Sequence, residues 1–235
     1  MSTEAWSQLD HEVPIFPLPN LVMFPRAVQF IHIFEPRYKQ MMEDIVEQAE
    51  EHRLIATALL KPGFEAEYHT NHAAIHPMLC LCKAVRYEVL PDGRYNLIIQ
   101  GRTRARVVVA YNDGPYRQAE LQVLNATGPI DDPDTAGQRR ATLREMLGRA
   151  PFDTLAGSRR FRQWLESDLS LGDATDLLTF HLLPAEEAEL RQTVLREIDV
   201  ERRADRLVDH LDTLGRVLLA QRRPCRTWPP EPDCN

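Results

Sequence analysis

Five residues in one short stretch have the chemistry of metal ligands: His69, His72, His76, Cys80 and Cys82. The histidines are spaced by three and four, so on a helix they would share a face and could hold a transition metal. The cysteines lie two apart, and on a strand both thiols would point the same way. Zinc takes such a mixed set, although structural zinc sites usually place two or more residues between their cysteines. The competing expectation is a polar loop running into a buried strand, with two small apolar cysteines and no metal. It is the one adopted here, and no cofactor is expected.

A second pattern is Arg102, Arg104 and Arg106, which alternate and on a strand would face one way. Arg86 could join them from a neighbouring strand. Such a face could hold RNA phosphate, a small anionic ligand or an acidic peptide. It could equally be a solvated face with cross-strand partners such as Glu88 and Glu120. Nearby aromatics to stack bases are few. The net charge of −7 also runs against a nucleic-acid partner.

The third pattern is Phe34-Glu35-Pro36-Arg37-Tyr38. A proline-rigidified turn with Phe, Arg and Tyr has the make-up favoured at interfaces. Pro17, Pro19 and Pro25 could build a ridge beside it. The competing expectation is that Phe34 and Tyr38 staple a helix to the sheet. Paired carboxylates at Glu65/Glu67 and Glu186/Glu187 suit solvation and helix-start electrostatics better than acid–base work. No Ser/His/Asp or Cys/His set is visible, and no Gly-rich phosphate loop ending in Lys-Ser/Thr occurs. No catalytic residue is therefore expected, and the chain is read as not an enzyme.

The elements that would position these residues change character part-way along the chain. Val13–Leu18 and Val28–Ile33 read as short strands bounded by prolines. Pro36 opens a helix with an apolar stripe at Tyr38, Met41, Met42, Ile45 and Val46, and His52 and Arg53 are placed at its end. Leu54–Leu60 reads as a strand buried on both faces. Met78–Leu90 and Arg94–Gln100 form a hairpin through Pro91-Asp92-Gly93, where glycine takes the positive φ. Gly101 marks a bulge or bend before Arg102–Tyr111, and Tyr116–Leu124 closes the strand-rich half. Thr127–Pro133 is a break in composition. Helices follow: Thr135–Arg149, one anchored by Phe161, Trp164 and Leu165, one capped by Asp173, one starting at Pro184, and the longest after Asp199.

Composition is that of a globular chain, with 43% hydrophobic residues and four cysteines in 235 residues. That is no disulfide scaffold. The first dozen residues lack the apolar run of a signal peptide, and no apolar stretch is long enough to span a membrane. A cytoplasmic protein with reduced thiols is expected.

Two blocks carry a family resemblance. The first is Val13-Pro14-Ile15-Phe16-Pro17-Leu18-Pro19-Asn20 leading to Phe24-Pro25. The second is Leu97-Ile98-Ile99-Gln100-Gly101-Arg102. With the Leu90–Arg94 hairpin, Ala174–Leu178, Leu182-Leu183-Pro184 and Val200–Arg203, they occur in one order. Together they resemble the N-terminal substrate-binding domain of Lon proteases. Phe34–Tyr38 is similar to the version found in stand-alone proteins of this type. Leu79 departs from the pattern, which usually has glycine there. The resemblance implies an α+β fold: a PUA-like β pseudo-barrel over residues 11–126 and a helical subdomain over 130–222; the proline-rich segment 224–235 is expected to be a disordered tail. It also implies binding of unfolded or tagged polypeptides, and a quality-control adaptor beside a protease or unfoldase. Motor and protease motifs are absent from the sequence, so the expectation is a recognition module acting alone. The alternative is a PUA-like RNA or small-ligand binder using the arginine face.

Overall fold

One long strand organises the sheet. The computed structural model describes residues 12–127 and 133–221. Its strands are β1 (Val13–Leu18), β2 (Val28–Ile33), β3 (Leu54–Leu59), β4 (Met78–Val89), β5 (Tyr95–Tyr111) and β6 (Gln118–Leu124). At 17 residues, β5 is long enough to serve three neighbours. Its first part pairs with β2, its last part with β6, and β4 lies along most of its length. The order β2-β5-β4-β3-β1-β6, with β6 returning to β5, curls the sheet into a ring. Closure is thin: β1 meets β6 only at Val13/Ala119 and Pro14/Gln118. The result is a pseudo-barrel rather than a clean barrel, with β2 as a flap beside it. β1 and β3 run parallel and the other pairs run antiparallel.

Gly101 does not end a strand; β5 continues through it, with the expected bulge beside it, where the register against β4 steps from Leu81/Thr103 to Cys82/Gly101 and skips Arg102. Glycine is required there because another backbone comes too close for a side chain. A Cβ on Gly101 would sit 2.0 Å from the Phe24 carbonyl oxygen. The crossing segment is tied down by Arg26 N donating to Gly101 O and Gly101 N donating to Ala27 O, each at 2.8 Å. Arg26 itself is held in the left-handed region at φ 65°. In the β4–β5 hairpin Gly93 takes φ 75°, as the turn requires. Leu79 lies inside β4 opposite Ala105, fully buried, so the missing glycine leaves no kink.

The alternation of β4 separates two cores. Leu79 and Leu81 face the ring interior with Val13, Ile15, Leu54, Ala56, Ala105 and Ala119. Cys80 and Cys82 face the other way, into a larger cluster. That cluster takes Tyr38, Met41, Met42 and Ile45 from α1 (Pro36–Val46), as the stripe demands. It continues to Leu178, Leu195, Leu207 and Leu211 of the helical layer. Sheet and helices therefore share one apolar cluster.

The helical layer comprises α2 (Pro133–Leu147), α3 (Ser158–Glu166), α4 (Leu171–Leu182), α5 (Ala188–Arg196) and α6 (Val200–Gln221). Three boundaries differ from expectation. Ser170, not Asp173, caps α4: its Oγ accepts from Asp173 N at 3.0 Å. Pro184 opens a turn rather than a helix, and α5 starts at Ala188. His52 and Arg53 lie beyond α1, which stops at Val46. Arg53 still serves that end, donating to the Val46 and Gln48 carbonyls at 3.2 Å each. The 224–235 segment, with Cys225 and Cys234, lies outside the described residues. Among those described, no helix is long and apolar enough to cross a membrane.

Candidate functional site

The five residues Phe34–Tyr38 divide into an inward brace and an outward face. Tyr38 is buried, edge-on to Phe16 with ring centroids 4.4 Å apart. It staples α1 to β1, the competing expectation, and offers nothing to a ligand. Burial pushes its hydroxyl pKa far above the usual value. Glu35 and Arg37 form the brace. The Glu35 carboxylate accepts from Tyr68 Oη at 2.8 Å and Arg37 Nε at 3.1 Å. Arg37 also donates to the Tyr68 and Thr70 carbonyls, at 2.6 and 2.9 Å. Its guanidinium lies over the rings of Tyr38 and Tyr68. Glu35 thus makes no side-chain cap on α1, because its oxygens hold the 68–70 loop instead. Burial, then the hydrogen bond to Glu35, raises the Tyr68 hydroxyl to about 12.

Phe34 is the outward residue, 61% exposed, and it does not stand alone. Pro36 beside it is exposed as well. Along β2, Val28 and Phe30 are 51% and 57% exposed. Residues 28, 30, 32 and 34 share a face by the two-residue repeat of a strand. His32 fills the remaining place, its ring stacked at 6.2 Å on Phe34 and bonded to Asn96 at 3.0 Å. Val85, at a register shift of β4, is exposed too, whereas Val89 pairs with Tyr95 and so lies on the other face. Val28, Phe30 and Phe34 therefore make an apolar strip along β2, and across β5 that face continues to Lys83, Arg86 and Glu88 of β4. Val28 and Phe30 were not singled out from the sequence. The available signal was the alternation Val28-x-Phe30-x-His32-x-Phe34, apolar on the side that is not the core.

The arginine face is not one surface. Arg104 is buried and makes a bidentate pair with Asp176 of α4, Nη1 to Oδ2 at 2.7 Å and Nη2 to Oδ1 at 2.6 Å. Its Nε donates to Leu195 O at 3.0 Å. The expectation of three solvent-facing arginines is corrected: the helical layer covers the middle one and supplies its acid. Arg102 and Arg106 remain exposed. Glu88 and Glu120 bond Asn96 and Tyr111, not these arginines. Asp176 serves a second cation, with Arg203 Nε 3.2 Å from Oδ1. Burial depresses Arg104, but the bidentate carboxylate more than offsets it and the net direction is up. Arg203, with one oxygen and Arg104 beside it, is pulled down to about 10, mainly by burial.

The histidines and cysteines do not converge. His69 stands exposed near Glu35, His72 is exposed, and His76 Nε2 bonds Glu189 of α5 at 2.9 Å. Cys80 and Cys82 lie fully buried beneath Thr57 and Gly101. Burial drives the Cys80 thiol up, which disfavours the thiolate a metal needs. Among the described residues no three His, Cys, Asp or Glu side chains are grouped to hold a metal ion. Glu65, Glu186, Glu187 and Glu189 rim a cavity of about 180 Å³ with Pro19, Leu59 and Leu60. Small-molecule sites run to roughly 300–1,000 Å³, so this one is small for an organic ligand.

The profile of the ATP-dependent protease La (LON) substrate-binding domain matches residues 12–213. The chain belongs to this Lon domain family. Lon protease 2 of Sorangium cellulosum is 29% identical over 215 residues, which is 88% of this chain and 25% of that protein. Lon protease 1 of Thermus thermophilus is 24% identical over 199 residues, 84% of this chain and 24% of its own length. The chain thus spans about a quarter of these Lon relatives, and the matched stretch is the substrate-binding domain. Two solved structures share the fold. The N-terminal domain of Mycobacterium avium complex Lon protease superposes with a TM-score of 0.64 at 15% identity, covering 86% of this chain and 98% of that one. A Lon N-terminal domain protein from Xanthomonas campestris gives 0.59 at 21% identity, covering 85% and 98%.

Proposed function

We propose that this Lon-type domain is a non-catalytic polypeptide-binding module. It captures unfolded or tagged polypeptides on the apolar face of β2 and acts as an adaptor to a protease or unfoldase. One observation carries the reading. Val28, Phe30 and Phe34 are large, exposed and aligned, where a soluble protein gains nothing by keeping them. The brace beneath supports it, since Glu35 and Arg37 fix the backbone that presents Phe34. A rigid presenter loses little entropy on binding. Buried free thiols at Cys80 and Cys82 fit a reducing compartment such as the cytoplasm.

The test is binding of a reduced, alkylated and permanently unfolded protein, read by fluorescence anisotropy. Phe30→Ala and Phe34→Ala are each expected to weaken binding by about fivefold or more, the loss of roughly 1 kcal/mol or more typical of an interface anchor. Val108→Ala, at the far end of β5, should leave it unchanged. Wild-type affinity in both phenylalanine variants would remove the site. Casein cleavage or nucleotide hydrolysis by the purified chain alone would remove the non-catalytic reading.

A further inference from the structure

Among the described residues the outer edge of β2 is unpaired: β2 ends the strand order, and β5 is its one neighbour there. The register that puts Val28 opposite Gln100 extends to Ala27 opposite Gly101, where Gly101 N donates to Ala27 O at 2.8 Å. Antiparallel partners alternate between bonded and non-bonded pairs. Gln29, Ile31 and Ile33 therefore bond β5, while the backbone groups of Val28, Phe30 and His32 point away from the sheet. One contact fits this parity: Gln29 Nε2 donates to Phe30 O at 2.9 Å, at an exposed site. A side-chain amide occupies the place that a neighbouring strand would take. Exposed edges are usually guarded by charge, proline or a bulge. Val-Gln-Phe-Ile-His-Ile has no Lys, Arg, Asp, Glu or Pro, and its register is unbroken.

We propose that β2 accepts an added strand from a client. An extended segment, about as long as the six residues of β2, pairs through its backbone with Val28, Phe30 and His32. Its apolar side chains, at alternate positions, pack beside Val28, Phe30 and Phe34. This rests on the polypeptide-binding reading and narrows the client to β-forming segments with alternating apolar residues. Only a chain of amides matches donors and acceptors at the strand repeat, and the edge strand has no charge to hold a phosphate.

The probe is a fluorescein-labelled ten-residue peptide of alternating valine and threonine, with two derivatives N-methylated at one or the other alternate set of amides. The unmodified peptide should bind. Methylation of one set should weaken it by about tenfold or more, as several edge hydrogen bonds are lost, and methylation of the other set far less. Gln29→Ala should tighten binding a few-fold, because the Phe30 carbonyl is freed for the incoming strand. Equal response to both methylated sets, with no effect of Gln29→Ala, overturns strand addition and leaves side-chain capture intact. Failure of the peptide while unfolded protein still binds in a Phe34-dependent way overturns it too. Failure of both removes the broader function as well. Self-association, seen by sedimentation, that the peptide does not displace would assign the edge to a second copy and overturn the proposal.

Discussion

The two sides of β5 use their residues in opposite ways. On the side beneath the helical layer, buried polar groups are mostly paired: Arg104 bonds Asp176, Gln192 Nε2 donates to Met78 O at 2.8 Å, and Arg191 donates to the Phe180 and Leu183 carbonyls, while Arg203 Nε meets Asp176 as an ion pair without a well-formed hydrogen bond and Gln192 Oε1 has no partner among the described residues. On the open side of the sheet, large apolar side chains face solvent along β2, which lacks a charge of its own. Buried charge is costly unless paired, so the first side fixes geometry. Exposed apolar surface rarely forms a contiguous patch without a partner, so the second side is the one fitted for contact. The proposed function accordingly rests on the apolar strip and not on the strongest electrostatics.

The largest expected effect breaks the matched side. Asp176→Asn leaves two buried guanidinium groups without their acid, and should cost about 3–5 kcal/mol. Denaturant unfolding of the purified variant measures this. Peptide affinity of the fraction still folded should not change, since the apolar face makes no contact with Asp176. A parallel loss of affinity would show that the two sides are coupled.

A smaller effect concerns the brace. Tyr68 is protonated in the fold up to about 12, above its ordinary value of 10, chiefly through burial. Its contribution is intact below the unfolded value and is lost as pH climbs from 10 towards about 12. Tyr38 and Tyr116 are raised in the same direction. Melting temperature should therefore hold steady to about pH 10 and fall above it. A flat profile through pH 11 would show that the brace tyrosines are not shielded as described. The smallest effect is Tyr38→Phe. The Tyr38 hydroxyl has no partner among the described residues. Removing it should change stability by less than about 0.5 kcal/mol, or raise it. A cost above 2 kcal/mol would reveal a partner for that oxygen.

Local rules recovered most of the sheet. The Pro36 start, the α1 stripe, the Gly93 turn and the all-buried β3 each follow from a few adjacent residues. What escaped depends on residues far apart in sequence. Gly101 was legible as a bulge, and the register shifts there, but the Phe24 backbone crossing over it was not. Arg104 looked like its neighbours Arg102 and Arg106, because alternation reports a face but not what covers it. Its acid lies 72 residues away on another layer. Phe34 was visible through its company of Pro, Arg and Tyr. The rest of the apolar face was hidden because Val28 and Phe30 are ordinary strand residues until the other side of β2 is known to be the core.

The shared carboxylate of Asp176 has a consequence for descent. Two cations hang on one acid, so the three positions form a single unit of inheritance. A lineage that loses the acid must shed both arginines in nearly the same step, through an intermediate that folds poorly. Aligned relatives should therefore keep the trio whole or replace all of it, and many surviving mixtures would mean that water reaches this junction after all.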